Sequence, residues 1–286
     1  MVARLAAWLI LLSCVAGAAP ASETARQILD RQKALDDGAR RWSDRHEQLR
    51  MEVLDPPRAP RVMMLDLFDK KVAPRQQKTM AYFSAPESVK GTAFLALTHP
   101  DRPADQWLYL PEGKRARRIG GEARRSGFVG TDFTYHDLDL LAEMPTWTDA
   151  DATASLRGEA AVDGVPCYVI ELTPQRAEIG YQHIVLWLGR DDLVPRQVEL
   201  FAEAPSAGWF GLGGGTPPQP ARRVRQHDLR LVGAIPVPGR AEIETPAAGT
   251  RTIVTFLHVA FDQHLPDDLF TQPALGWGRF APAAAR

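Results

Sequence analysis

The side chains able to do covalent or metal chemistry are scattered rather than grouped. The seven histidines (His46, His99, His136, His183, His227, His258 and His264) form no His-x-x-x-His pair and no cluster with cysteine. His258 and His264 stand six apart, which is not a helical ligand spacing. No serine lies in a Gly-x-Ser-x-Gly elbow, and no Gly-x-x-x-x-Gly-Lys-Ser/Thr phosphate loop occurs. Residues 211–215 are glycine-rich, but no strand precedes them and no helix follows, as a nucleotide site requires. The sequence therefore points to no catalytic residue, metal or cofactor, and a hydrolytic role would need a nucleophile–base pair that it does not display. What does stand out is charge. Lys114, Arg115, Arg117, Arg118, Arg124 and Arg125 crowd one segment, with Glu112 and Glu122 as the nearby opposing charges. Such a segment can attract anionic headgroups or an acidic partner, or be a solvated hairpin. Trp209-Phe210, in a glycine/proline stretch, reads either as an exposed apolar tip or as a loop folded back on the core.

The chain that positions these groups has 286 residues, 45% hydrophobic and 24% charged, with a formal net charge of -1. That balance argues against a nucleic-acid binder and against a disordered chain. Arg4, the apolar run from Leu5 to Leu12 and Ala19-Pro20-Ala21 read as a secretory signal peptide cleaved near Ala21. The expected location is the periplasm. Leu11-Leu12-Ser13-Cys14 offers the alternative of a lipid anchor on Cys14. Either way Cys14 leaves the folded part, and Cys167 remains as a lone buried thiol.

Residues 22–36 have the spacing of an amphipathic helix. Thr24 and Gln27 suit a capping box, and Ala25, Ile28, Leu29, Gln32 and Leu35 share a face. From about residue 47 the period shifts to two. Strands are expected near 47–53, 63–67, 75–83, 91–98, 106–110, 115–119, 153–161, 166–173, 182–189, 194–202, 222–232, 240–245 and 251–262. Short strands joined by tight turns such as Asp163-Gly164 indicate an antiparallel meander, with residues 22–286 as one domain and 205–220 as a long loop. Several strands are apolar on both faces, so a second layer, helices or a lipid-like ligand must cover each side. A second short helix is expected over Tyr135–Glu143, capped by Thr134 and Asp137, with Phe133 and Leu138 as a hydrophobic staple. Asp132 is unexplained by that cap, and Arg118 or another arginine is its expected partner.

The central block resembles a known family. Trp107, Tyr109 and Pro111, then Arg118, then Phe128, Gly130, Asp132, Phe133, Tyr135 and Asp137 follow the pattern of the outer-membrane lipoprotein-sorting, LolA-like proteins. Within that block Val129 and His136 stand where the pattern has Met and Glu. Residues 91–95 and the closing 265–271 also match, and the resemblance is to the larger members found beside resistance–nodulation–division-type transporters. It implies a mainly β fold: an incomplete, strongly curved antiparallel β-barrel with helices covering its open mouth. It further implies a non-enzymatic periplasmic carrier or chaperone for lipid or lipoprotein acyl chains, passing them to an inner-membrane transporter or an outer-membrane acceptor. Ile28, Leu35, Met63, Leu65, Leu67, Leu95, Leu97, Leu186, Leu188, Leu257 and Val259 are the expected lining, subject to strand register. The alternatives are a non-carrier accessory module of a transport complex, with a filled interior, and an unrecognised lipid hydrolase.

Overall fold

The computed structural model describes residues 23–202 and 219–278. The leader, Cys14, Trp209-Phe210 and most of the 205–220 loop lie outside them. Strands β1 (Asp44–Leu54), β2 (Arg61–Ala73), β3 (Gln76–Ala85), β4 (Ala93–Leu97), β5 (Asp105–Leu110) and β6 (Arg115–Ile119) form an antiparallel meander. A second meander comprises β7 (Ala152–Val162), β8 (Val165–Pro174), β9 (His183–Gly189), β10 (Pro195–Phe201) and β11 (Arg222–His227), then β14 (Arg240–Thr245) and β15 (Thr250–Phe261). Strand β15 pairs with β1 and fuses the two into one thirteen-stranded sheet, ordered β6-β5-β4-β3-β2-β1-β15-β14-β11-β10-β9-β8-β7. Its ends, β6 and β7, do not pair with each other.

The sheet is strongly curled. In sheet order β2 and β7 stand eight strands apart, which on a flat sheet is roughly 40 Å at ~4.8 Å per strand. Yet Arg75, in the turn after β2, donates from Nη2 to Asp151 Oδ1, just before β7, at 2.7 Å. The connection from β6 to β7 runs across the inner face and carries α2 (Tyr135–Glu143); the N-terminal α1 (Ala25–Asp37) lies on the same face. Both helices begin with the expected capping box, Thr24 with Gln27 and Thr134 with Asp137. Among the described residues no helix is long and apolar enough to cross a membrane.

The apolar outer face has a different cover. After β15 the chain turns back over β2–β5, and Leu265, Leu269, Phe270, Ala274 and Leu275 bury Phe68, Met80, Tyr82 and Leu95. Asp44 holds the start of this wrap by accepting from the Gln263 and Leu265 amides, and Tyr82 holds its end by donating to the Ala274 carbonyl at 2.8 Å. The expected strand 222–232 is broken. Asp228 takes a positive φ of 55°, β11 ends, and β12 (Arg230–Val232) and β13 (Ile235–Val237) form a separate hairpin.

Phe270 is fully packed in this wrap, 3% exposed. Phe270→Ala is expected to lower unfolding stability by about 3 kcal/mol, by loss of apolar burial and a residual cavity. Urea unfolding checks this; a change below about 1 kcal/mol would show that the wrap does not contribute to the core.

Candidate functional site

The inner face is one apolar surface in two halves. Ile170, Leu172, Ile184, Leu186, Leu188, Val198 and Leu200 form the half beneath α1, while Leu49, Met51, Met63, Leu65, Phe83, Phe94 and Leu108 form the other. Phe133 packs against both. Helix α1 buries Ala25, Ile28 and Gln32 and lays Leu29 and Leu35 against the first half. Its polar attachments lie at its two ends. Arg26 donates to Asp149 Oδ1 (2.8 Å) and to the carbonyls of Trp147 (3.1 Å) and Ala152 (3.0 Å). Just beyond the other end, Arg40 donates to the Asp192 carbonyl at 2.5 Å.

Of the expected lining, Ile28, Leu186 and Leu188 are buried in the first half, with Leu35 packed against it. Met63 and Leu65 are buried in the second, with Leu67 beside them. Leu95 and Leu97 point the other way, into the outer wrap; on β4 the inward residues are Phe94 and Ala96. Both faces of β4 are apolar, so the alternation could not set its phase. Leu257 occupies a β-bulge, opposite the Gln48/Leu49 step of β1, and is 51% exposed. Past the bulge Val259 pairs with Glu47 and is buried on the inner side beside it, in neither of the two apolar clusters.

The second part of the central block, Phe128 to Asp137, serves as a corner brace. Phe94, Phe128 and Tyr135 make a ring cluster with centroids 5.1–5.7 Å apart. Gly130 sits at φ 73°, and a Cβ there would fall 2.9 Å from the Arg61 guanidinium. The fully buried Asp137 caps α2 and accepts from Tyr181 Oη at 2.6 Å. Asp132 is not bound by Arg118. It accepts from the hydroxyls of Thr245 (2.7 Å), Thr250 (2.5 Å) and Thr252 (2.8 Å), which tie it to the β14–β15 hairpin. Arg118 lies on the outward side of the edge strand β6, next to Trp107, and pairs with Asp105. Trp107 and Tyr109 belong to the outer wrap, and Pro111 lies against Gly91. Trp107, Tyr109, Pro111 and Arg118 thus stand apart from the corner.

Polar groups on the inner face were not anticipated from sequence. Glu47 and Asp69 are buried there with Arg45, which reaches Asp69 at 2.5 Å and Glu47 at 3.3 Å; Gln77 and Thr79 also donate to Asp69. Burial pushes the Glu47 carboxyl up to about 7, against the pull of Arg45 and with help from Asp69. Burial likewise lifts Asp139, bound by Arg124 and Gln106, to about 6. Glu47 keeps step with Leu49, Met51 and Val53, which is the one sequence signal that could have revealed it. Of the basic segment, Arg124 pairs with Asp139 and Arg125 with Glu122, while Lys114, Arg115 and Arg117 are exposed without an ion pair among the described residues. Cys167 is buried and burial raises its thiol, so the thiolate is disfavoured. Between α1 and the Met144–Thr146 turn lies a cleft of about 30 Å³, room for about two waters.

Two measurements test this geometry. Asp132→Ala is expected to cost about 3 kcal/mol, because hydroxyl groups lose a charged acceptor. In double-mutant cycles it should couple to Thr252→Val by about 1 kcal/mol and to Arg118→Gln by roughly zero. The Glu47 carboxyl rises on folding from 4.5 to about 7, so between those values the folded chain holds the extra proton. Its contribution therefore lowers stability as pH rises through that window. Glu47→Gln should flatten the fall in urea midpoint between about pH 5 and pH 8; an unchanged slope would place the titration elsewhere.

A family model described as "Uncharacterized protein" matches residues 75–207. No curated protein matches the sequence. Among solved structures, an outer membrane lipoprotein-sorting protein domain from Vibrio parahaemolyticus superposes with a TM-score of 0.73 at 22% identity, over 88% of this chain and 98% of that one. A DUF1329 family protein from Desulfovibrio piger gives 0.75 at 20%, over 88% and 100%. A LolA superfamily protein from Nitrosomonas europaea gives 0.61 at 16%, again over 88% and 100%. The mainly β architecture, one open antiparallel sheet curled around two helices, is the fold of the LolA-like lipoprotein-sorting proteins.

Proposed function

We propose that the protein is a periplasmic carrier that holds the acyl chains of a lipid or lipoprotein between α1 and the inner face of the sheet. The observation that supports this most directly is the asymmetry of the two helices. Helix α2 is fixed to the sheet by buried, directional bonds through Asp137, whereas α1 rests on apolar side chains and, among the described residues, is tied only near its ends. Moving α1 aside exposes Ile28, Leu29 and Leu35, at most about 1.5–3 kcal/mol each. An acyl chain regains about 0.8 kcal/mol per methylene, so roughly ten methylenes replace what the helix loses. The cleft of about 30 Å³ is far smaller than an acyl chain, so loading requires that movement. In this reading residues 1–21 are the export signal, residues 22–286 the carrier, and the chain is handed to or from a membrane transporter or acceptor.

The filled interior is also the observation that favours a second reading, an accessory module that binds partners only by its surface. Native mass spectrometry and lipid extraction of protein isolated from its own periplasm separate the two. The carrier is expected to bring down lipid at about one molecule per chain, with faster amide exchange over residues 25–37 than over β1 or β9. Protein that is empty under gentle conditions, with α1 exchanging as slowly as the sheet, would favour the module.

A further inference from the structure

The cleft beneath α1 contains two polar groups that packing alone leaves unexplained. Its floor is apolar, from Met144, Pro145, Leu172 and Leu186. Trp147 also lines it and is 6% exposed, and its buried indole N–H has no hydrogen-bond partner. A buried Trp N–H is ordinarily bonded, and leaving one bare costs about 1–3 kcal/mol. Opposite, Gln32 occupies a position on the apolar face of α1 one turn beyond Ile28. It is 7% exposed, and its side-chain amide makes no hydrogen bond among the described residues. A leucine there would pack on the same floor without an amide to satisfy. The indole N–H is thus the stranded donor, and Gln32, whose amide atoms keep access to solvent, lines the same cleft from the other element, so one oxygen acceptor in the cleft can meet both.

We propose that Trp147 and Gln32 hold the carbonyl oxygen of an acyl ester or amide, so that the cleft fixes the linkage end of the ligand while its chain follows the inner face. This rests on the carrier reading and specifies its ligand. The acceptor is neutral, because an anion buried on so apolar a floor would need a paired cation. The nearest guanidinium, Arg26, is engaged by Asp149 and two backbone carbonyls, and Lys33 is paired with Asp37. The Trp147 carbonyl is one of those held by Arg26, which fixes the backbone that carries the indole. The space already present, room for about two waters, admits a carbonyl oxygen, and the chain beyond it would take the place of α1 side chains.

Two fluorescent probes test the assignment on the full-length mature chain: cis-parinaric acid methyl ester, which carries an ester carbonyl, and diphenylhexatriene, which carries no oxygen. Trp147→Phe keeps the apolar bulk and removes the donor; Gln32→Leu does the same on the helix. Each variant is expected to weaken the ester probe about three- to tenfold and to leave the hydrocarbon probe within about twofold. Thermal unfolding shows whether either variant is folded, and Gln32→Leu carries the test if Trp147→Phe is not. Equal weakening of both probes, or no change in either, overturns the anchor while leaving a carrier. Wild-type protein that takes up neither probe overturns the carrier reading and the anchor with it.

Discussion

The structure is governed by one constraint: a thirteen-stranded sheet that curls but does not close has two apolar faces and two free edges to protect. Curling brings residues from both meanders within reach of Phe133 and lets the β6–β7 connection become the filling of the inner face. The outer face is handled differently in its two halves. Over β2–β5 the C-terminal turns supply an apolar cover. Over β7–β14 there is a ladder of charge pairs, with Glu171 between Arg157 and His183 and Glu199 beside Arg223, screening the small patch of Val169, Val185 and Phe201. The edges follow the same logic. Strand β6 presents Arg115, Arg117 and Arg118, and β7 is exposed along most of its length, so neither offers a flat apolar template for another chain.

Two buried carboxylates decide which parts of the filling are fixed. Asp132 gathers three threonine hydroxyls from the β14–β15 region, and Asp137 joins the start of α2 to Tyr181 ahead of β9. Arg222 touches both sites, donating to the Asp132 carbonyl at 3.1 Å and lying 3.7 Å from the Asp137 carboxylate. These contacts are charge-assisted and directional, so a small displacement of α2 breaks several at once. Apolar contacts under α1 have no such requirement. They depend on area, and area can be supplied by another apolar group of similar volume.

What was legible in the sequence is what local chemistry determines. The capping boxes at Thr24 and Thr134 gave both helix starts, and alternation with turn residues gave most of the strands, β6 and β14 to the residue, but not the break at Asp228 that divides β11 from the β12–β13 hairpin. Facing was not legible where a strand is apolar on both sides: nothing local distinguishes Phe94 and Ala96 from Leu95 and Leu97. The bulge that puts Leu257 and Val259 on opposite faces is set by pairing with β1, some two hundred residues earlier. Asp132 was assigned the nearest plausible cation because its true partners lie 113 to 120 positions away and are threonines, whose partners no spacing rule identifies. Residues 265–271 carried part of the family resemblance, but their place as a wrap was not legible, because 3₁₀ turns this short carry no period.

The closed interior and the carrier reading are compatible for a physical reason. A chamber left open would expose the apolar lining to water or collapse, so a stable unloaded form must fill itself. Filling by α1 is the reversible solution, since the helix buries few large side chains and a ligand competes with it for the same floor on the same terms. Filling by α2 would not be, because its displacement strands the buried Asp137 carboxylate. The bare indole of Trp147 and the amide of Gln32 sit on the α1 side of that division. The buried indole N–H, left without a partner, makes this packing less stable than an apolar side chain there would be. In the carrier proposed above, that cost would bias the competition toward a ligand that brings an acceptor.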